Sequence, residues 1–158
     1  MTPRTFAFQS ARGSFPRRLL PLLALALTAV GAPAAWSQDA NPKVQPLLST
    51  GRTVIGERFA YPTGAPARVT SVIVTLKPGE ETGWHRHGVP LYGYILEGEL
   101  TVDYGPHGKR VYRKGDSLME AMNAPHNGRN TGAGTMRVLA VFMGAEGRPN
   151  TVPAKPPK

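Results

Sequence analysis

The hydrophobic positions of most of the chain fall in short runs rather than at helical spacing. After Pro42 no long segment repeats with a 3.6-residue period, and runs rich in β-branched and aromatic residues alternate with turns containing glycine, proline or asparagine. Short strands at regular spacing are typical of an all-β sandwich or barrel. The predicted strands are 53–59, 68–76, 92–104, 110–113, 116–122 and 136–143.

The beginning of the chain has a different pattern, which predicts a secretory signal peptide over residues 1–37. Four arginines and no acidic residue precede a leucine- and alanine-rich run, 19–30. That run is shorter than the ~20 residues of a transmembrane helix. Small residues with A-x-A-like spacing follow it, as at a cleavage site. A buried helix or a retained anchor is the alternative. We therefore expect a periplasmic or secreted protein that is free of the membrane after cleavage.

The rest of the chain has the length of one domain with one core. We predict a polar N-terminal extension at 38–50, a barrel at 51–145 and a disordered tail at 146–158. The tail holds four prolines and few apolar residues. Such a composition disfavours a packed structure.

Charge and cysteine content narrow the function classes. The leader holds four of the basic residues, so the net charge of +9 falls to +5 without it. The densest basic patch, Lys109 to Lys114, alternates with apolar residues, as on the exposed face of a strand, and no aromatic platform accompanies it. We therefore expect no nucleic-acid partner. The absence of cysteine rules out disulfides and lipid attachment through cysteine.

Three of the four histidines have a spacing that indicates a metal site. His85 and His87 are two residues apart, and on a β-strand such residues point to the same face. His126 follows 39 residues later, near another predicted strand. Imidazole binds several transition metals. Two ordinary surface histidines are the alternative for the pair, and His107, in a Gly-Pro-His-Gly turn, is expected to be exposed.

Two segments resemble the sequence motifs of the cupin family. The run 78–100, P-G-E-E-T-G-W-H-R-H-G-V-P-L-Y-G-Y-I-L-E-G-E-L, is similar to the first motif. Residues 115–130 are similar to the second, with Ala121 where the family often has proline and Asn123 where it often has glycine. The motifs stand in order at the family's spacing, and the resemblance covers about 53–143. It implies a cupin barrel, that is, a double-stranded β-helix or jelly roll.

The resemblance also implies a ligand set. In cupins the two histidines of the first motif and the histidine of the second bind a divalent metal, so His85, His87 and His126 take these roles. The metal would be iron, manganese, nickel, copper or zinc. A small-molecule ligand or substrate is the expected partner. A homodimer is a further expectation, with 44–59 as its edge or swapped strand.

The carboxylate of the usual cupin ligand set is missing. The first-motif glutamate would fall at Leu91 or, with a shift of one residue, at Tyr92. The site is then a three-histidine site with open positions, which is the general form of a catalytic metal site. Alternatively, Glu120, six residues before His126, substitutes as a ligand. A third interpretation leaves Glu120 as a solvent-facing strand residue.

Residues near the histidines give further expectations. Strict alternation along the strand predicts that Trp84 packs on the outer face, opposite the histidines. Asn127 and Asn130 are candidates for orienting His126 through its second ring nitrogen.

Two function classes remain open at this point. One is a metal-dependent cupin enzyme, either a dioxygenase-like oxidoreductase or an isomerase. The other is a non-catalytic periplasmic cupin that binds a small ligand or a metal. The sequence has no nucleophile elbow, phosphate loop or cysteine that would indicate another chemistry.

Overall fold

The structure is a computed structural model that describes residues 43–158. The predicted leader, 1–37, and the first part of the predicted extension lie outside the described residues. No helix in the described range is long and apolar enough to cross a membrane. The described elements are strands β1 (Ala67–Leu76), β2 (His85–His87), β3 (Leu91–Glu97), β4 (Glu99–Asp103), β5 (Lys109–Arg113), β6 (Ser117–Met119), β7 (Asn127–Asn130), β8 (Met136–Ala145) and β9 (Thr151–Pro153), with one 3₁₀ turn, Gly105–His107, before β5.

The strands form two antiparallel layers. One sheet has the order β1-β8-β3-β6, in which β1 and β8 pair over all ten of their residues. The other layer contains β5-β4-β7 and the short pair β2-β9. Reciprocal backbone hydrogen bonds of 3.0 and 2.9 Å between His85 and His126 join β2 to the segment that leads into β7. The second layer therefore carries all three candidate histidines.

The core lies between the two layers because alternate residues of each strand point inward. In β3 the buried positions are Leu91, Gly93 and Ile95, and in β8 they include Met136 and Ala140. The larger cluster of buried side chains consists of Leu76, Ile95, Leu100, Val102, Tyr104, Tyr112, Leu118, Ala121 and Met136.

Gly98 divides the predicted strand 92–104 into β3 and β4. Its φ of 73° is unfavourable for other residues. A Cβ at this position would also collide with the Thr135 carbonyl and the Met136 backbone. The chain can therefore leave the first sheet at Gly98 and continue in the second.

The predicted strand 53–59 is wrong. Residues 53–57 form a tight turn, in which the Thr53 N–H donates to the Glu57 carbonyl at 2.9 Å and the Gly56 N–H donates to the Thr53 carbonyl at 2.9 Å. The apolar residues of this run pack their side chains from a turn, which periodicity does not distinguish from a short strand. Within 44–59 the structure describes no strand, and the β pairing there is a single isolated bridge between Arg52 and Arg58.

The predicted disordered tail is also wrong, because part of it forms β9. This strand pairs with β2 in the register His85↔Pro153 and His87↔Thr151. The Ala154 N–H continues the contact by donating to the Trp84 carbonyl at 3.0 Å. β9 is an edge strand, where proline is tolerated because one row of backbone groups has no strand partner. The proline content therefore did not prevent pairing.

Candidate metal centre

Three histidine side chains meet at one point of the second layer. His85 and His87 lie on β2, and the backbone bridge to His85 places His126 beside them. The ring centroids are 5.0 Å apart for His85 and His87, 4.5 Å for His85 and His126, and 5.0 Å for His87 and His126. One ring nitrogen from each residue lies within 4.8 Å of the other two. This arrangement can hold a metal ion.

The second ring nitrogen of each histidine faces a backbone carbonyl. The Nδ1 atoms lie 2.7 Å from the Gly83 oxygen for His85, 3.2 Å from the Asn150 oxygen for His87, and 2.9 Å from the Ala124 oxygen for His126. A carbonyl only accepts, so each Nδ1 must carry the hydrogen and donate it. In the neutral ring, Nε2 is then left with a lone pair and no hydrogen.

The Nε2 lone pairs consequently face one another. The Nε2 atoms of His87 and His126 are 3.2 Å apart. With both Nδ1 atoms protonated, neither Nε2 of a neutral pair can donate to the other, so the contact between two acceptors is unfavourable. A shared proton or a cation would relieve it. Three converging imidazole lone pairs fit a divalent transition metal.

Burial keeps the three rings neutral. Burial, followed by the nearby rings of His126 and His85, lowers the pKa of His87 to about 3. Burial also lowers the pKa of His85 and of His126. Neutral imidazole is the form that binds metal, so the site is prepared for an ion at neutral pH.

We expect the titration of His87 to destabilise the metal-free protein in acid. In the unfolded chain this ring takes up a proton near its ordinary value of 6.5, whereas in the folded protein it stays neutral down to about 3. The unfolded state then binds more protons, so its share rises as the pH falls through this window. Between pH 7.5 and pH 5, the titration of His87 therefore lowers the free energy of unfolding by about 2 kcal/mol, since each pKa unit corresponds to ~1.36 kcal/mol.

Guanidinium unfolding of EDTA-treated protein at these two pH values measures the effect against a His87→Gln variant. The variant is needed because burial raises the pKa of Glu120, whose contribution to stability increases as the pH falls. Between the two pH values, the free energy of unfolding should fall by about 2 kcal/mol more in wild type than in the variant, because the variant lacks the His87 titration. Equal losses in the two proteins would contradict the assignment of a buried neutral ring.

A cavity of about 460 Å³ opens beside the histidines, between the two layers. Its wall also includes Glu120 and Phe142, whose ring lies 5.6 Å from that of His87. Trp84 lines this cavity, so its predicted outward orientation is wrong. Strand β2 begins at His85, and the alternation of a strand does not extend back to Trp84, which follows Gly83 at φ 77°.

Asn127 and Asn130 do not orient His126. The Asn127 amide donates to Glu81 at 2.8 Å, and the Asn130 amide donates to the Leu76 and Gly134 carbonyls at 2.9 and 2.8 Å. They hold the strand ends together instead.

Residues 72–142 match the family described as Cupin domain. The match supports the cupin superfamily, and together with the antiparallel all-β architecture it confirms the predicted cupin fold. No curated protein matches the sequence.

Similar solved structures include two oxalate decarboxylases. The enzyme from Lactobacillus farciminis in a formate complex is 20% identical, with 54% of this chain and 26% of that chain covered and a TM-score of 0.47. The enzyme from Bacillus subtilis at pH 4.6 is 23% identical, with 54% and 23% covered and a TM-score of 0.45. The chain thus spans about a quarter of the length of these enzymes.

Within the cupin barrel, Leu91 is a buried apolar residue, as expected where the family's glutamate is missing. Glu120 is not solvent-facing, since its side chain is buried in the cavity wall. Its Oε1 accepts the Ala121 N–H at 2.8 Å, and burial raises its pKa although the hydrogen bond from Tyr104 lowers it. Glu120 lies outside the set of ligand atoms within 4.8 Å of one another.

Glu57 is a residue of the site region that the sequence did not indicate. Its carboxylate accepts the N–H groups of Met122 and Asn123 at 2.9 and 3.1 Å, and so fixes the loop that carries His126. Burial raises the pKa of Glu57, but these hydrogen bonds outweigh it and the pKa is lowered. The sequence could not indicate this role, because a single glutamate more than 60 residues before its partners forms no recognisable motif with them.

Proposed function

We propose that this cupin is an exported protein that holds a divalent transition metal on His85, His87 and His126 and uses it to bind a small molecule in the adjoining cavity. The observation that carries the proposal is that one ring nitrogen of each histidine lies within 4.8 Å of the other two, while each Nδ1 lies against a backbone carbonyl. Iron, manganese, nickel, copper and zinc all suit imidazole ligands.

The open side of the site favours an enzyme. Three protein ligands beside a cavity leave coordination positions for a substrate or water, as in catalytic metal sites. The chemistry supplied by such an ion is Lewis-acid polarisation of a ligand oxygen, or redox chemistry with oxygen. This supports a dioxygenase-like oxidoreductase or an isomerase. The histidines hold the ion, and the apolar walls exclude water from the bound molecule.

One observation favours the alternative, a non-catalytic binding protein. Among the described residues lining the cavity, Glu120 is the one acid-base group besides the three histidines, and its carboxyl is already bonded to the Ala121 N–H. Oxygen uptake and product analysis with the metal-loaded protein and enolic substrates distinguish the two. Turnover supports the enzyme, whereas thermal stabilisation by ligand without turnover supports the binding protein.

Replacement of Glu120 by glutamine is expected to weaken metal affinity 10- to 100-fold, the usual effect of losing a group that supports a metal ligand. Three neutral imidazoles do not compensate a divalent charge, and Glu120 is the one acidic side chain among the described residues of the cavity wall. Burial favours the neutral form of Glu120, but a nearby cation favours the ionised carboxylate. The carboxylate charge then stabilises the ion, whether the carboxylate binds it directly or acts from a short distance. Competition with a fluorescent chelator measures the affinity.

The matched control is Glu146→Gln, which makes the same change at an exposed position. It should leave the affinity unchanged. If Glu120→Gln also leaves the affinity unchanged, Glu120 has no part in the metal site.

The proposal also includes export of the protein and its association into a homodimer. The basic and apolar leader supports export to the periplasm or beyond, and sequencing of the mature N-terminus tests it. Exposed apolar side chains at Val69 and Ile73 on β1, and at Val44 and Leu47 before it, support association into a homodimer. Light scattering of the mature protein tests that.

A further inference from the structure

The cavity beside the histidines has an unequal distribution of polar groups. Its lining side chains with polar atoms are the histidines, Glu120, Thr82, Thr151 and Trp84, whose indole carries an N–H. The walls contributed by β1, β4 and β8 are apolar, with Val74, Leu76, Leu100, Val102, Met136 and Val138. A bound molecule would therefore meet the metal ligands at one end and an apolar wall over the rest of its surface.

The described residues that line the same cavity include no lysine or arginine that could supply a positive charge. The one acidic side chain among them, Glu120, is buried within it. An ionised carboxylate buried away from the metal would have no partner, which is costly in an apolar environment. A dicarboxylate is thus a poor match, since a charge that does not reach the metal stays uncompensated.

We infer that the ligand of this cavity is an uncharged small molecule with a head of one or two oxygen atoms and a hydrocarbon tail. The placement of the head rests on the proposed metal site, whereas the tail depends only on the apolar walls. A volume of about 460 Å³ admits a molecule of this kind and lies in the ordinary range for small-molecule sites.

A series of alkyl hydroxamic acids tests the inference. They are uncharged in neutral solution, they chelate a metal through two oxygens with release of one proton to the solvent, and they carry a tail of chosen length. Calorimetry with zinc-loaded protein would compare acetohydroxamic, butanohydroxamic and hexanohydroxamic acid. Affinity should rise along the series by up to about fourfold per methylene, the factor that corresponds to ~0.8 kcal/mol for a buried CH₂. Oxalate is the charged control, since it also chelates through two oxygens in a five-membered ring.

Two variants locate the tail. Val138 lines the cavity, and Val138→Thr places a hydroxyl there with nearly unchanged size. It should weaken hexanohydroxamic acid severalfold and leave acetohydroxamic acid unchanged. Val111→Thr makes the same change at an exposed position on β5 and should change neither. Zinc content is measured for each protein, so that a loss of the metal is not mistaken for a loss of the apolar contact.

The outcomes separate this inference from the proposed metal function. An affinity that rises with the length of the alkyl tail, together with weak oxalate binding, supports an apolar ligand. Oxalate binding as tightly as hexanohydroxamic acid, or an affinity that does not change with chain length, overturns it. If the protein binds no zinc but the affinity still rises with tail length, the metal function fails and the apolar cavity stands.

Discussion

Replacement of His126 by alanine is expected to lower metal affinity more than 100-fold, beyond the ~10- to 100-fold effect of losing a supporting residue. His126 is 1% exposed, and its ring lies 4.5 and 5.0 Å from the two histidine rings of β2. Without it, the imidazoles of His85 and His87 remain, and among the described residues no further histidine, cysteine, aspartate or glutamate belongs to the set of converging ligand atoms. Two imidazole ligands bind a divalent ion more weakly than three.

The affinity of each protein is measured by chelator competition, and folding is checked by circular dichroism and unfolding of the metal-free forms. Because removal of a buried ring leaves a void, His126→Gln serves as a second variant that fills more of the space. The matched control is His107→Ala, which removes an exposed histidine outside the site. If His126→Ala and His126→Gln both fold and bind metal as tightly as the wild type, His126 is not a ligand.

Removal of residues 149–158 is expected to weaken metal affinity 10- to 100-fold, as loss of a group that orients a metal ligand does. The deletion removes β9 from its pairing with β2, and with it the Asn150 carbonyl that accepts the Nδ1–H of His87 at 3.2 Å. The ring of His87 would then lose the contact that keeps its Nε2 directed at the metal. The thermal midpoint of the metal-free protein should fall as well, because the edge of β2 becomes unpaired.

A less drastic variant separates orientation from folding. A Cβ at Gly88 would collide with the Pro149 carbonyl oxygen, so Gly88→Ala should displace the C-terminal segment while the chain stays intact. Deletion of 155–158 alone leaves β9 in place and is the control, with an expected affinity within threefold of the wild type. Unchanged affinity after removal of 149–158 would show that β9 has no role in the metal site.

The sequence predicted the features that depend on local periodicity. The long runs at β1 and β8 were found because β-branched and apolar residues dominate them over ten positions. His85 and His87 could be paired from spacing alone, since residues i and i+2 of a strand share a face. The resemblance to the cupin motifs added His126, whose approach to β2 depends on a backbone bridge that no local pattern reveals.

The features that the sequence did not predict depend on distant backbone. β9 pairs with a strand more than 60 residues earlier, and its prolines indicate disorder by composition. The acceptors that orient the histidines are the carbonyls of Gly83, Ala124 and Asn150, and a carbonyl has no signature in the side-chain sequence. The burial of Glu120 could not be distinguished from exposure on a strand, because the facing wall comes from other strands.

Elemental analysis of the wild-type protein, combined with X-ray absorption at the metal edge, tests the central claim most directly. The protein is dialysed in turn against iron, manganese, nickel, copper and zinc and then freed of excess metal. We expect about one tightly held ion per chain for at least one of these metals, with imidazole scattering from the three histidines. Retention of none of the five metals, or an ion with no imidazole in its coordination shell, would contradict the assignment of His85, His87 and His126 as a metal site.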